Sequence, residues 1–146
     1  MHRLFLLGAC LALPLCPAAA QPAGAAAAWV TPAEKAPRKV APSGKAWITL
    51  LAQGEQAFVG RLEMAPGAKV PEHQDPTEEY IHVLEGTGVL TLDGVAHPVK
   101  PGDTIFMPAH AKVSYVNGPA RFVGLQVFAG PGPAKKYAAW AAAPAQ

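Results

Sequence analysis

The sequence predicts an all-β domain, a sandwich or barrel of short antiparallel strands followed by a short C-terminal helix. Three observations predict it. Runs rich in β-branched and aromatic residues recur along the chain ("AWITLLA", "EQAFVGRLEMA", "EYIHVLEG", "GVLTLDG", "VAHPV", "TIFMP", "KVSYVNG", "RFVGLQVFAG"). Their spacing of about ten residues is that of strands in sandwiches and barrels. Sixteen prolines and fourteen glycines punctuate 146 residues, which favours short elements joined by turns over long helices. Asp93-Gly94 stands between two alternating runs, a strong hairpin signal.

Each part of the chain follows from local chemistry. Residues 1–20 read as a signal peptide. His2 and Arg3 are a positive start, residues 4–15 an apolar stretch too short to span a bilayer, and Ala18-Ala19-Ala20 a small-residue cleavage site. The mature chain is expected to begin near Gln21, to be exported to a periplasmic or extracellular space, and to have no membrane association after cleavage. Cys10 comes too early for lipid attachment and Cys16 follows an unsuitable Leu15. Both cysteines then leave with the leader, so no disulfide or thiol chemistry is expected. Residues 21–43, rich in Ala and Pro, read as a flexible linker.

Residues 44–130 are the barrel. Ile81, Val83, Val89, Ile105, Phe106, Val113, Phe122, Leu125 and Val127 are its expected core. Residues 131–146 form a tail, with good helix formers over 134–143 after a Pro-Gly-Pro stop. Tyr137 and Trp140 are expected to fold one face of that helix onto the body. The net charge is +2, too small to imply a nucleic-acid or membrane-surface partner. Between Gly44 and Gly130, six Lys/Arg stand against nine Asp/Glu, a net of −3. The basic residues at both ends, Lys135 and Lys136 among them, read as solvated surface.

Chemistry concentrates in "HQDPTEEYIHVLEGTG". His73, Asp75, Glu78, Glu79 and His82 fall within ten residues. Side chains two apart on a strand share a face, so His73 and Asp75 can both point inward. Glu79 has the same parity, with a turn expected at Pro76-Thr77. His82 has the opposite parity and is expected outside, beside Tyr80. His97 reads as a satisfied core or edge residue. Glu78 is expected in solvent.

Two stretches resemble the paired signature motifs of the cupin superfamily. The first is Gly67, five residues, His73-Gln74-Asp75, three residues, Glu79, then six residues to Gly86. The second is Pro101-Gly102-Asp103, then "TIFMPAH" and Asn117. The resemblance implies an antiparallel jelly-roll barrel with an open interior. It also implies a metal site of two histidines and a glutamate from the first motif and one histidine from the second. His73 and Glu79 match that set, Asp75 stands where the second histidine belongs, and Val113 stands where the last one belongs. His73, Asp75 and Glu79 are either the candidate metal ligands, an oxygen-rich set suited to a divalent ion such as Mn, Fe or Zn, or a hydrogen-bonded polar cluster at the mouth of the barrel.

Two further residues are candidates for the ligand pocket. His110 occupies the glycine position of the second motif and could reach the cavity if its turn is rearranged, although a surface turn histidine is the ordinary case. Gln126 could point inward and orient a ligand, or face solvent. The resemblance leaves three functions open: a small-molecule-binding barrel with a weak or partly lost metal site, a metal-dependent enzyme of oxygenase or isomerase type, or an interaction protein without catalysis. A homodimer through the outer strands, with Tyr80, His82 and Trp47, fits any of them.

Overall fold

The computed structural model describes residues 28–144. The expected leader and the first part of the linker lie outside them. Strand β5 (Glu79–Glu85) sets the orientation of the whole body. Glu79, Ile81 and Val83 are buried, whereas Tyr80, His82 and Leu84 are exposed, the two-residue period of a half-buried strand.

Around β5 the described residues build a seven-stranded and a four-stranded antiparallel sheet. The larger contains β1 (Arg38–Val40), β2 (Ala46–Gln53), β3 (Ala57–Met64), β5, β8 (Thr104–Met107), β10 (Phe122–Ala129) and β11 (Ala141–Ala142), in the order β11-β1-β2-β3-β10-β5-β8. The smaller contains β4 (Lys69–His73), β6 (Gly88–Leu92), β7 (Val95–Val99) and β9 (Val113–Asn117), in the order β4-β9-β6-β7. This is the all-β jelly roll expected from the sequence. The β6–β7 hairpin turns on Asp93 and Gly94 with φ of 48° and 83°, the left-handed pair that a two-residue hairpin of this kind requires.

The sheets face each other across Met64, Ile81, Val83, Leu90, Ile105, Met107, Val113, Tyr115 and Phe122. Three expected core residues are instead on the outside. Val89, Phe106 and Leu125 are each more than a third exposed, because alternation hands the inner face to their neighbours Leu90, Ile105 and Gln126. Asn117 is buried and donates from Nδ2 to the carbonyls of Ala65 (2.7 Å) and Ala120 (2.9 Å). It therefore ties two turns together rather than facing a ligand.

The terminal regions differ from expectation. Part of the linker is structured, since β1 pairs with both β2 and β11. Its charged side chains have partners: Arg38 lies 3.4 Å from the Glu63 carboxylate, and the Lys39 ammonium donates to the Trp140 carbonyl at 3.4 Å. The tail is not an α-helix over 134–143 but a 3-10 segment, Pro133–Ala139, followed by β11. The 3-10 repeat eclipses residues three apart, which lines up Ala134, Tyr137 and Trp140 against the barrel. Tyr137 packs on Phe58 (ring centroids 5.8 Å) and on Trp140 (4.9 Å). With Ile48 and Phe128 they form a second core beneath the tail.

One ionic cluster sits on β3. Glu63 is buried, and its carboxylate meets Arg61 (2.5 Å), Arg121 (2.7 Å) and Arg38 (3.4 Å). Arg38 in turn lies over the half-buried Trp47 ring at 5.4 Å. Among the described residues no helix is long and apolar enough to cross a membrane.

Candidate functional site

His73 ends β4 directly opposite Val113 of β9. Its Nδ1 lies 3.0 Å from the Pro71 carbonyl oxygen. That oxygen only accepts, so Nδ1 carries the hydrogen and donates. In the neutral ring Nε2 then holds the lone pair, and it faces Asp75 Oδ2 at 3.7 Å. Two lone-pair-bearing atoms so placed are best stabilised by a shared cation.

Asp75 is delivered by the bend between β4 and β5. The His110 N–H donates to the Asp75 carbonyl (2.8 Å), the Gln74 amide donates to the His110 carbonyl (2.5 Å), and the Ala129 N–H donates to the Glu78 carbonyl (2.9 Å). Glu79 then enters at the first position of β5, facing inward by alternation. Among the described residues, one ligand atom each from His73, Asp75 and Glu79 lie within 4.8 Å of one another. Ligands bonded to one ion at about 2.1 Å stand at most ~4.2 Å apart, so closing the set takes a shift of roughly half an ångström. The three residues fit a divalent ion, and they form a group that could hold one.

Behind Glu79 lies a buried relay. Tyr137 donates its hydroxyl hydrogen to Gln126 Oε1 (2.8 Å), and Gln126 Nε2 donates to Glu79 Oε1 (2.5 Å). Gln126 is 4% exposed, so it points inward. Burial pushes the Glu79 carboxyl above its ordinary value, against the Gln126 hydrogen bond and the Lys136 charge. Burial also pushes the Tyr137 hydroxyl well above tyrosine's ordinary range, with the Glu79 charge adding to it. Tyr137 therefore stays protonated and donating, which fixes the direction of the relay.

His73, Glu79, Gln126 and Tyr137 form the polar end of a cavity of about 450 Å³, a size that takes a small molecule; Asp75 is not among its lining residues. Its walls are apolar, with Leu62, Ile81, Leu90, Ile105, Met107 and Phe122 among them.

The remaining histidines among the described residues stand apart. His110 is exposed, does not line the cavity and holds a φ of 65°. That left-handed backbone is what glycine would adopt freely, which accounts for a glycine at this position of the motif. His110 contributes through its backbone, bracing Asp75. His82 is outside, with Nδ1 2.9 Å from Thr104 Oγ1, and His97 is exposed on the edge strand β7. Val113 lines the cavity.

Two site residues escaped the sequence reading. Lys136 lines the cavity, its ammonium 2.9 Å from Asp75 Oδ2, and Tyr137 anchors the relay. The only signal was the three-residue spacing of Ala134, Tyr137 and Trp140, which turns the tail inward once it is read as 3-10.

The polar groups of this jelly roll gather at one end of an apolar interior, an arrangement consistent with small-molecule binding. The family described as Cupin domain (Cupin_2) matches residues 60–125, and the fold is that of cupin proteins. It is similar to dimethylsulfoniopropionate lyase DddW of Ruegeria pomeroyi, 34% identical over 77 residues, 50% of this chain and 51% of that protein. It is also similar to protein SchB of Streptomyces halstedii, 31% identical over 61 residues, 41% of this chain and 44% of that one. The chain thus spans about half the length, or less, of these curated relatives.

Among solved structures, a predicted oxalate decarboxylase from Thermotoga maritima superposes with a TM-score of 0.60 at 25% identity, over 70% of this chain and 99% of that one. An RmlC-like cupin from Shewanella frigidimarina superposes with a TM-score of 0.64 at 19% identity, over 71% and 92%, and carries the fold alone.

Proposed function

We propose that this chain is an exported small-molecule-binding cupin that holds a divalent ion weakly through His73, Asp75 and Glu79. The convergence of those three groups, with His73 and Glu79 lining an apolar cavity, carries the reading. Weak binding follows from the ligand count, since Val113 offers no fourth donor. A bound ion would polarise an oxygen of the ligand as a Lewis acid. The chain's own residues do the rest. The Pro71 carbonyl fixes the His73 ring, the Gln126–Tyr137 relay holds Glu79, and the apolar walls exclude water from the ligand's body.

Calorimetry with Mn²⁺, Fe²⁺ and Zn²⁺ tests this. One ion per chain at micromolar affinity or weaker is expected, lost in His73→Ala. Nanomolar affinity would contradict a weakened site, and binding untouched by His73→Ala would remove the assignment.

A second reading, a metal-dependent enzyme, is favoured by Glu79, a buried acid facing a cavity and able to hold a proton. The similarity to a lyase makes dimethylsulfoniopropionate the first substrate to try, its loss followed by NMR. Consumption that persists in His73→Ala would exclude this site as its source.

Export and pairing belong to the same proposal. Residues 1–20 support the first. The exposed outer residues Tyr80, Leu84, Phe106 and Leu125 support the second. Protein recovered from its natural cell should begin near Gln21 and show twice the chain mass in light scattering. A retained Met1 or a monomer mass would contradict the corresponding part.

A further inference from the structure

We infer that Lys136 is the resident counter-cation of Asp75, that a divalent ion displaces it, and that the freed ammonium then anchors a ligand bearing one carboxylate on an apolar body. The inference rests on the metal reading above and deepens it by naming the ligand class.

The first observation is shared occupancy of one oxygen. Lys136 Nζ stands 2.9 Å from Asp75 Oδ2, the atom that faces His73 Nε2 at 3.7 Å. An ion coordinated there would lie within a few ångströms of the ammonium, and like charges at that range repel. The ammonium has somewhere to go without leaving the cavity. It already sits 4.9 Å from the centre of the Phe128 ring and 5.7 Å from that of Tyr137, faces that attract a cation.

The second observation is the charge count. Without metal, Lys136 offsets one of the two carboxylates, that of Asp75. With a divalent ion, the carboxylates of Asp75 and Glu79 offset its two charges, and a neutral imidazole adds none. One uncompensated positive charge is left, on Lys136. The other charged residue lining the cavity, Lys69, is also a cation.

The third observation is the shape of the remainder. Beyond the polar end, Ser43, Lys69 and Tyr115 apart, the lining is apolar, and the whole cavity measures about 450 Å³. A single anionic head with a hydrocarbon body satisfies both ends. A polar body would lose its hydrogen bonds to water.

Calorimetry on the whole mature chain tests the inference, with Mn²⁺ as the ion and hexanoate and hexanamide as probes of equal length. In the wild type, Mn²⁺ should strengthen hexanoate binding on the order of tenfold, a usual size for coupling between two sites, and leave hexanamide unchanged. Lys136→Met keeps the apolar stem and should bind Mn²⁺ about tenfold more tightly, while losing the preference for hexanoate. Lys136→Arg keeps the charge, serves as a folded control and should retain the preference.

Mn²⁺ binding that Lys136→Met fails to tighten would overturn the inference while leaving the metal reading standing. A hexanoate preference that survives Lys136→Met would do the same, because the anion would then be held by the ion itself. Absence of Mn²⁺ binding in the wild type and in Lys136→Met alike would remove both together.

Discussion

Val113→His should tighten Mn²⁺ binding by at least the ~10–100-fold that even outer-shell partners of a metal are worth. Val113 pairs with His73 across β4 and β9 and lines the same cavity. Residues directly opposite on neighbouring strands project to one face with Cβ atoms about 5 Å apart. An imidazole at 113 would therefore stand beside the His73 ring and supply a fourth donor. The cavity has room for the added atoms, so little strain is expected. Calorimetry against the wild type checks the prediction. An unchanged affinity would mean that position 113 does not reach the ion, and the assignment of His73, Asp75 and Glu79 as its ligands would need revision.

Glu63→Leu should cost about 3 kcal/mol of stability, near the low end of the range for breaking a buried ion pair. One buried carboxylate gathers three guanidinium groups, and removing it takes away the buried charge on which Arg38, Arg61 and Arg121 converge, while Arg121 keeps the Glu85 carboxylate at 4.0 Å. The figure sits low in the range because the Arg121 side chain is 46% exposed and water can screen it. In a domain of this size the loss corresponds to a fall in Tm of roughly 10 °C. Urea and thermal unfolding measure it. A change below about 1 kcal/mol would show that the cluster holds together no better than surface ion pairs do.

Much of the barrel was legible because its causes are local. The alternation of "EYIHVLE" placed Glu79 inside and His82 outside, and Asp93-Gly94 fixed a hairpin. The failures arose where both parities of a strand are apolar. In "RFVGLQVFAG" the pattern does not say which face is inner. A lone glutamine suggests solvent, yet Gln126 is inside because Glu79 and Tyr137 satisfy its amide. Leu125 and Val127 were consequently expected in the core, whereas Leu125 is exposed and Val127 only partly buried.

Within the site, His73 and Glu79 could be read from their motif, and Asp75 from its parity with them. Lys136 could not. It reaches Asp75 across 61 residues of chain, and no short-range periodicity encodes such a contact. The short helix of the tail was expected from its alanine-rich composition, but its winding was not. Packing of Tyr137 and Trp140 at three-residue spacing selected the tighter 3-10 winding instead.

The pairing of β11 with β1 has a mechanical result. The stretch carrying Lys136 is pinned on one side by the end of β10, where the Gly130 N–H donates to the Gln56 carbonyl. On the other it is held by Ala141 opposite Val40 and by the Ala143 N–H on the Arg38 carbonyl. A span fastened at both abutments can flex but cannot swing free. Any travel of its amine is thus confined to side-chain rotation and slight arching, so exchanging partners at the mouth needs no unfolding of the wall.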